Sequence, residues 1–407
     1  MNLKNIINLK IRNKLVDKLS SFSNYQINFT DYWGNWTIGV GDKILDMRIL
    51  NPDFYLMLFS GGSNGIANAY VKGFWECDDL YELFRAFVKN IKLIDTFETG
   101  YLKFDVLKNR LLHSLSSNSK LGSKRNIHAH YDLGNDFFEL FLDETMTYSS
   151  AIFESENSSL KQASINKLDH ICKKLNLNET HHVLEIGGGW GSFAIHAAKN
   201  YGCEITTTTI SEAQFEYMEQ RFSESGLNHK IHLLNQDYRN LSGNFDKIVS
   251  IEMIEAVGNK FLGTFFSICS KLLKPEGQMC LQSITMPDDR YPEYLKNTDF
   301  IQTYIFPGSC VPSLAAIKNS LLKYTNLKIC HVEDIAPHYS RTLLYWLENF
   351  DRNKSQIRKL GYDENFCRLW RYYLSYCAAG FQERYLGDLQ ILIDKHGSQK
   401  SLNLEKA

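Results

Sequence analysis

The chain has 407 residues, enough for two domains and one large core. Hydrophobic residues make up 44% and charged residues 22%, and the formal net charge of −1 gives no global case for nucleic-acid binding. No apolar run approaches the ~20 residues of a membrane span. The N-terminus lacks the apolar core and small-residue cleavage site of a secretory signal, so the expected location is the cytoplasm.

The nine cysteines are scattered, odd in number and form no C-x-x-C pair. They read as free thiols in a reducing compartment, with no metal site. Aromatic residues are abundant, with 25 Phe, 22 Tyr and 6 Trp. They supply either an aromatic core or a long apolar tunnel.

Residues 1–20 carry Lys4, Lys10, Arg12, Lys14 and Lys18 against Asp17, with Leu3, Ile7, Ile11, Leu15 and Leu19 recurring every fourth residue. This is a basic amphipathic helix, docked on its own domain or lying on a membrane surface. Residues ~25–95 read as a small α+β unit. Trp33 to Ile38 and Val40 to Leu50 supply hairpin strands, and Asp78-Asp79-Leu80 opens a capped helix through Leu83, Phe84 and Phe87. Residues 112–126 are rich in Ser, Lys and Asn and mark a linker. The expected division is an N-terminal domain over 1–111, a catalytic domain over 127–395 and a polar tail over 396–407.

From residue 127 strands and helices alternate. The expected strands are Val183–Ile186, Glu204–Thr208, Ile231–Leu234, Lys247–Ile251 and Gln278–Ser283, which predicts a doubly wound parallel sheet of the α/β class. Beyond Ser283 the chain reads as helical and aromatic.

The first of these strands runs into Val183-Leu184-Glu185-Ile186-Gly187-Gly188-Gly189-Trp190-Gly191, and a helix-compatible segment follows. A buried strand, a glycine turn and a helix N-terminus let backbone approach a nucleotide-like ligand. A dinucleotide site would carry an acid about 20 residues on, at the end of the second strand. Here that strand ends in Thr206-Thr207-Thr208-Thr209-Ile210-Ser211, with Gln214 following. The missing carboxylate turns the reading toward S-adenosylmethionine (SAM). Three features agree. Glu185 favours a cationic ligand, Asp237 and Tyr238 after the third strand suit the amino group and face of adenine, and Leu272 to Gly277 forms a turn before the fifth strand.

The segments His130–Phe138, Met146–Phe153, the glycine turn, Ser250–Gly258 and Phe300–Ser313 resemble the cyclopropane-fatty-acyl-phospholipid synthases and mycolic acid methyltransferases. His338-Tyr339-Ser340-Arg341-Thr342-Leu343 extends the resemblance. Ala69 to Gly73, Trp75 and Asp78 to Leu80 are similar to the N-terminal domain of the bacterial synthases. The resemblance implies a SAM-dependent methyltransferase, Rossmann-like in fold, that binds SAM through Tyr148, Ser149, the turn Val183–Gly191, Thr209, Gln214 and the region of Tyr238 and Arg239. Its substrate would be the cis double bond of an acyl chain in membrane phospholipid. The enzyme would sit peripherally on the inner face of the membrane, and the N-terminal domain would engage lipid and form a homodimer.

The resemblance further implies a bicarbonate ion held by Ser150, Glu255, Gln282, Ile284 and Tyr339. Ser150 stands where Cys is frequent and Gln282 where His is frequent. Serine keeps the backbone donor, and glutamine keeps a donor without a titratable group. Methyl transfer to an alkene leaves a cation that must be kept from water, and aromatic faces stabilise such a charge. Tyr304, Phe306, Phe153, Tyr339 and Trp346 are the candidates. Proton loss from the added methyl gives a cyclopropane. Loss from a neighbouring carbon gives a methyl branch, and a non-catalytic lipid-binding relative is the third reading.

Overall fold

The computed structural model describes residues 3–94 and 133–395. The expected linker, the polar tail and the first residues of the His130–Phe138 segment lie outside the described residues.

Helix α1, Leu3–Lys18, is tied down by ion pairs from Lys4 to Asp53 and from Arg12 to Asp31, both at 2.7 Å. Ile11, Leu15 and Val16 pack on the core, while Leu3, Ile6 and Ile7 are exposed. Next come strands β1 (Ser23–Asp31), β2 (Gly34–Ile38) and β3 (Val40–Ile49), helix α2 (Asp53–Val71), strand β4 (Trp75–Cys77) and helix α3 (Leu80–Lys89). The sheet order is β2-β1-β3-β4. The hairpin is therefore β1–β2 rather than β2–β3, and β3 runs parallel to β1 on its far edge. Gly39 and Gly41 permit that crossing, since a Cβ on either would sit 2.2–2.3 Å from the β1 backbone. The expected cap is present, with the Asp79 carboxylate accepting from the Glu82 N–H at 3.0 Å.

The second sheet holds seven strands among the described residues, in the order β10-β11-β9-β8-β5-β6-β7. β5 (His182–Ile186), β6 (Glu204–Thr209), β7 (Ile231–Asn235), β8 (Phe245–Ile251) and β9 (Leu273–Thr285) are parallel and correspond to the five expected strands. β10 (Lys328–Asp334) and β11 (Gly387–Asp394) correct the all-helical reading of the C-terminal part. In β11 the apolar Leu389, Ile391 and Ile393 alternate with Asp388 and Gln390, which are also buried, and that polar pair breaks the apolar run. β5 is flanked by β6 and β8, so the glycine turn opens at the point where the winding reverses.

One apolar core runs from the N-terminal unit into the aromatic helices Ala336–Arg352 and Glu364–Gln382. Arg368 crosses it, donating to the carbonyls of Tyr70 and Trp75 at 2.5 and 2.8 Å. Phe137, Trp75, Trp346 and Trp370 are among its fully buried side chains, each contributing about 1.5–3 kcal/mol of burial.

Candidate active site

The glycine turn is close-packed. A Cβ on Gly188 would lie 2.3 Å from Thr207 Oγ1, and one on Gly187 (φ 88°) 2.7 Å from Met253 Cγ. Beneath it, Glu185 accepts from the Thr207 hydroxyl at 2.6 Å. Burial raises the Glu185 carboxyl to about 8, against the weaker pull of Lys167. At the end of β6 Thr209 donates to Gln214 at 2.8 Å, so hydroxyl and amide stand where a dinucleotide site has an acid. Asp237 is hooked onto Arg239 at 2.6–2.9 Å, and Tyr238 meets Phe265 edge-on. The Met146–Phe153 segment is strapped over the turn. Thr342 Oγ1 accepts the Ala151 N–H, and His338 Nδ1 accepts the Phe153 N–H. Asn135 holds the Trp190 indole at 2.8 Å. These bonds explain why such distant segments occur together.

A cavity of about 1700 Å³ begins at this turn. Tyr148, Ser149, Glu185, Gly187, Gly188, Gly189, Trp190, Thr209, Gln214, Asp237, Tyr238 and Arg239 line it. Val183 and Gly191 do not: Val183 is a core residue within β5, and Gly191 packs on Phe222. The cavity continues past Glu252, Glu255, Ile284 and Tyr339 into a channel walled by Phe306, Tyr372, Tyr373 and Phe381, and reaches α1, α2 and α3. Of the aromatic candidates only Phe306 and Tyr339 line it. Phe153 stacks on Arg341 and Tyr345, Trp346 packs in the core, and Tyr304 is partly exposed.

Of the five residues expected around one anion, three serve Glu252 and one serves the fifth, Glu255. Ser150 N–H and Gln282 Nε2 donate to Glu252 Oε1 at 2.9 and 2.8 Å, and the Tyr339 hydroxyl donates to Glu252 Oε2 at 2.6 Å. Glu255 Oε1 accepts from Ile284 N–H at 2.6 Å and from Ser283 Oγ at 3.0 Å, while its Oε2 is buried without a hydrogen-bond partner. Burial, then the neighbouring charge of Glu252, raises Glu255 to about 8. Asp388 is likewise raised by burial and by both glutamates. Lys167 is fully buried, donates to Ser149 Oγ at 2.8 Å and feels Glu252, Asp388 and Glu185; burial nevertheless lowers it to about 8.

Glu252, Lys167 and Asp388 escape the sequence reading. Glu252 lies one turn before Glu255 in the segment Ser250–Gly258, and two acids in an apolar run were its signal.

A glycine turn at the winding reversal, an acid beneath it and hydroxyl–amide groups on the next strand define a Rossmann-like SAM-dependent methyltransferase. The family model for mycolic acid cyclopropane synthetase matches residues 118–391. The chain belongs to that family. It is 34% identical to the tuberculostearic acid methyltransferase UfaA1 of Mycobacterium tuberculosis, over 95% of this chain and 91% of the relative. It is 34% identical to the cyclopropane-fatty-acyl-phospholipid synthase of Escherichia coli, over 87% of this chain and 89% of the relative. Among solved structures, the mycolic acid cyclopropane synthase CmaA1 complexed with SAH and CTAB superposes with a TM-score of 0.63 at 32% identity, covering 67% of this chain and 98% of that one.

The raised pKa of Glu185 is a stability statement. A carboxyl whose folded pKa exceeds its unfolded value contributes stability below the unfolded value, and that contribution is lost as pH rises through the folded one. Without SAM, the stability of wild type relative to Glu185→Gln should fall by about 2 kcal/mol between roughly pH 6.5 and 8, other groups cancelling in the comparison. Denaturant unfolding of both proteins at the two pH values measures it, and a pH-independent difference would refute the shift.

Proposed function

We propose that this enzyme transfers the methyl group of SAM to a cis double bond of an unsaturated acyl chain in membrane phospholipid and closes it to a cyclopropane. The observation that carries the reading is the continuity of the cavity. One space joins the glycine turn, two buried carboxylates and an aromatic-walled channel that runs out between α1, α2 and α3. SAM supplies an electrophilic methyl group. The residues of the chain do the rest. Tyr148, Ser149, the turn at Gly187–Trp190, Thr209, Gln214 and Asp237 hold the co-substrate, with Glu185 facing its positive charge. The apolar channel aligns the alkene and excludes water. Phe306, Tyr339, Tyr373 and Phe381 offer ring faces to the developing cation, each worth about 0.5–2 kcal/mol.

The test is incubation with SAM and monounsaturated phospholipid vesicles, with the lipid product identified by mass spectrometry and proton NMR. Upfield cyclopropane protons are expected. A methyl branch would replace ring closure, and an unaltered lipid would overturn the reading.

No helix among the described residues is long and apolar enough to cross a membrane. On this reading the acyl chain is drawn from a bilayer surface that the protein visits. α1 is suited to that contact. Its first turn exposes Leu3, Ile6 and Ile7, and Lys10, Lys14 and Lys18 stand along the cavity. At about 1 kcal/mol per basic residue near an anionic surface, Lys10→Ser with Lys14→Ser should weaken binding to anionic vesicles roughly 30-fold and leave binding to neutral ones unchanged. Equal binding of mutant and wild type in vesicle flotation would remove α1 as the contact.

A further inference from the structure

The residues around the acyl channel do not fit a free bicarbonate ion. Three of the positions to which the family resemblance assigns that ion, the Ser150 N–H, the Gln282 amide and the Tyr339 hydroxyl, already converge on the side chain of Glu252. A carboxylate presents the same planar O–C–O face as bicarbonate, and here both of its oxygens are served. A second anion would compete for the same donors beside the Glu252 carboxylate, in a buried space where like charge is costly.

We propose that Glu252 is a built-in replacement for bicarbonate, a catalytic base carried by the chain itself at the junction of the SAM site and the acyl channel. The inference rests on the cyclopropanation reading above.

The backbone supports the assignment. Glu252 has φ 49°, a left-handed conformation that side chains other than glycine's rarely adopt. It is held there by its N–H bond to the Gln282 carbonyl at 2.8 Å and by the three bonds to its carboxylate. A strained residue clamped at both ends, on the wall of the cavity, is placed for its carboxylate.

The same geometry explains the two departures from the family pattern. Ser150 uses only its N–H, and its hydroxyl turns away to the Ala151 carbonyl, so nothing at this position depends on a cysteine thiol. Gln282 is oriented by Gln390, whose Nε2 donates to Gln282 Oε1 at 3.1 Å, so that Gln282 Nε2 turns to Glu252 at 2.8 Å and, more distantly, to Asp388 at 3.3 Å. A permanent carboxylate needs a neutral donor beside it, which glutamine supplies without titrating. Burial holds the Glu252 carboxyl above the ordinary range, the direction a base working near neutrality requires.

The proton balance closes. The alkene π pair forms the bond to the incoming methyl carbon, the methyl–sulfur pair leaves with sulfur as a neutral thioether, and the adjacent carbon becomes cationic. Glu252 removes one proton from the added methyl, and the released C–H pair forms the third bond of the ring. The proton rests on Glu252 and passes to solvent after product leaves.

The test uses the full chain, SAM and monounsaturated phospholipid vesicles, in buffer stripped of carbonate and in the same buffer with sodium bicarbonate added. Wild type is expected to turn over equally in both. Glu252→Gly relieves the positive φ and opens the cradle; it should lose about 10²-fold or more without bicarbonate and recover when bicarbonate is added. Glu252→Gln should lose as much and not recover. Calorimetric SAM binding within a few-fold of wild type shows that both variants are folded. Wild-type turnover that requires bicarbonate, or a Glu252→Gln enzyme near wild-type rate, would overturn the inference while leaving the reaction intact. No methylated lipid from wild type in either buffer would overturn the reaction and this inference with it.

Discussion

Glu255→Gln is expected to lower turnover by about 10²-fold or more while SAM affinity changes by no more than a few-fold. Glu255 stands apart from the glycine turn, with one oxygen on Ile284 N–H and Ser283 and the other buried without a hydrogen-bond partner. Held near 8 by burial and by Glu252, it carries a proton in most molecules at neutral pH. Glutamine keeps the volume and an oxygen for Ile284 but cannot take or release the proton. Steady-state rates with isothermal titration of SAM separate the two effects. A near-normal rate, or a loss of SAM binding that matches the loss of rate, would remove Glu255 from the chemistry.

Lys167→Met should cost the fold more than Glu255→Gln does. The side chain is fully buried, and its charge opposes the desolvation of Glu185, Glu252 and Asp388. Removing one partner of a buried charge group leaves the others uncompensated, a loss of about 3–5 kcal/mol. Methionine replaces the aliphatic stem, so the loss reports charge rather than volume. Urea unfolding measures it, and a change below about 1 kcal/mol would mean that the carboxyls are already neutral. Lowering the pH should narrow the gap between mutant and wild type, because protonated carboxyls no longer need the cation.

Much of the active domain was legible in the sequence. The five parallel strands carry short runs of apolar or β-branched residues, β6 being mostly threonine, and such runs between amphipathic helices are well marked. The glycine turn and the missing acid at Thr207–Thr209 pointed to the correct ligand class for a local reason, since both lie on adjacent strands. What was hidden depends on contacts between distant residues. β11 was masked because Asp388 and Gln390 face inward, where an apolar pattern is expected. Lys167 falls on the buried stripe of its helix, Leu160, Ala163, Ser164, Leu168 and Ile171, and a lysine on such a stripe marks an electrostatic role. Phe153 and Trp346 were placed beside the reacting centre by composition alone, and packing puts them elsewhere. The structure brings Ser150, Gln282 and Tyr339 together, and the group at their centre, Glu252, became visible only through its bonds.

The strand order bears on how the protein is made. β11, Gly387–Asp394, lies between β9 and β10, so β10 has no strand to pair with until residues 387–394 have been made. The helix Glu364–Gln382, which closes the aromatic core over α2 and α3, emerges almost as late. The N-terminal unit therefore waits, until that helix is made, with the apolar surface destined for the shared core uncovered, and this exposure is a cost built into the topology.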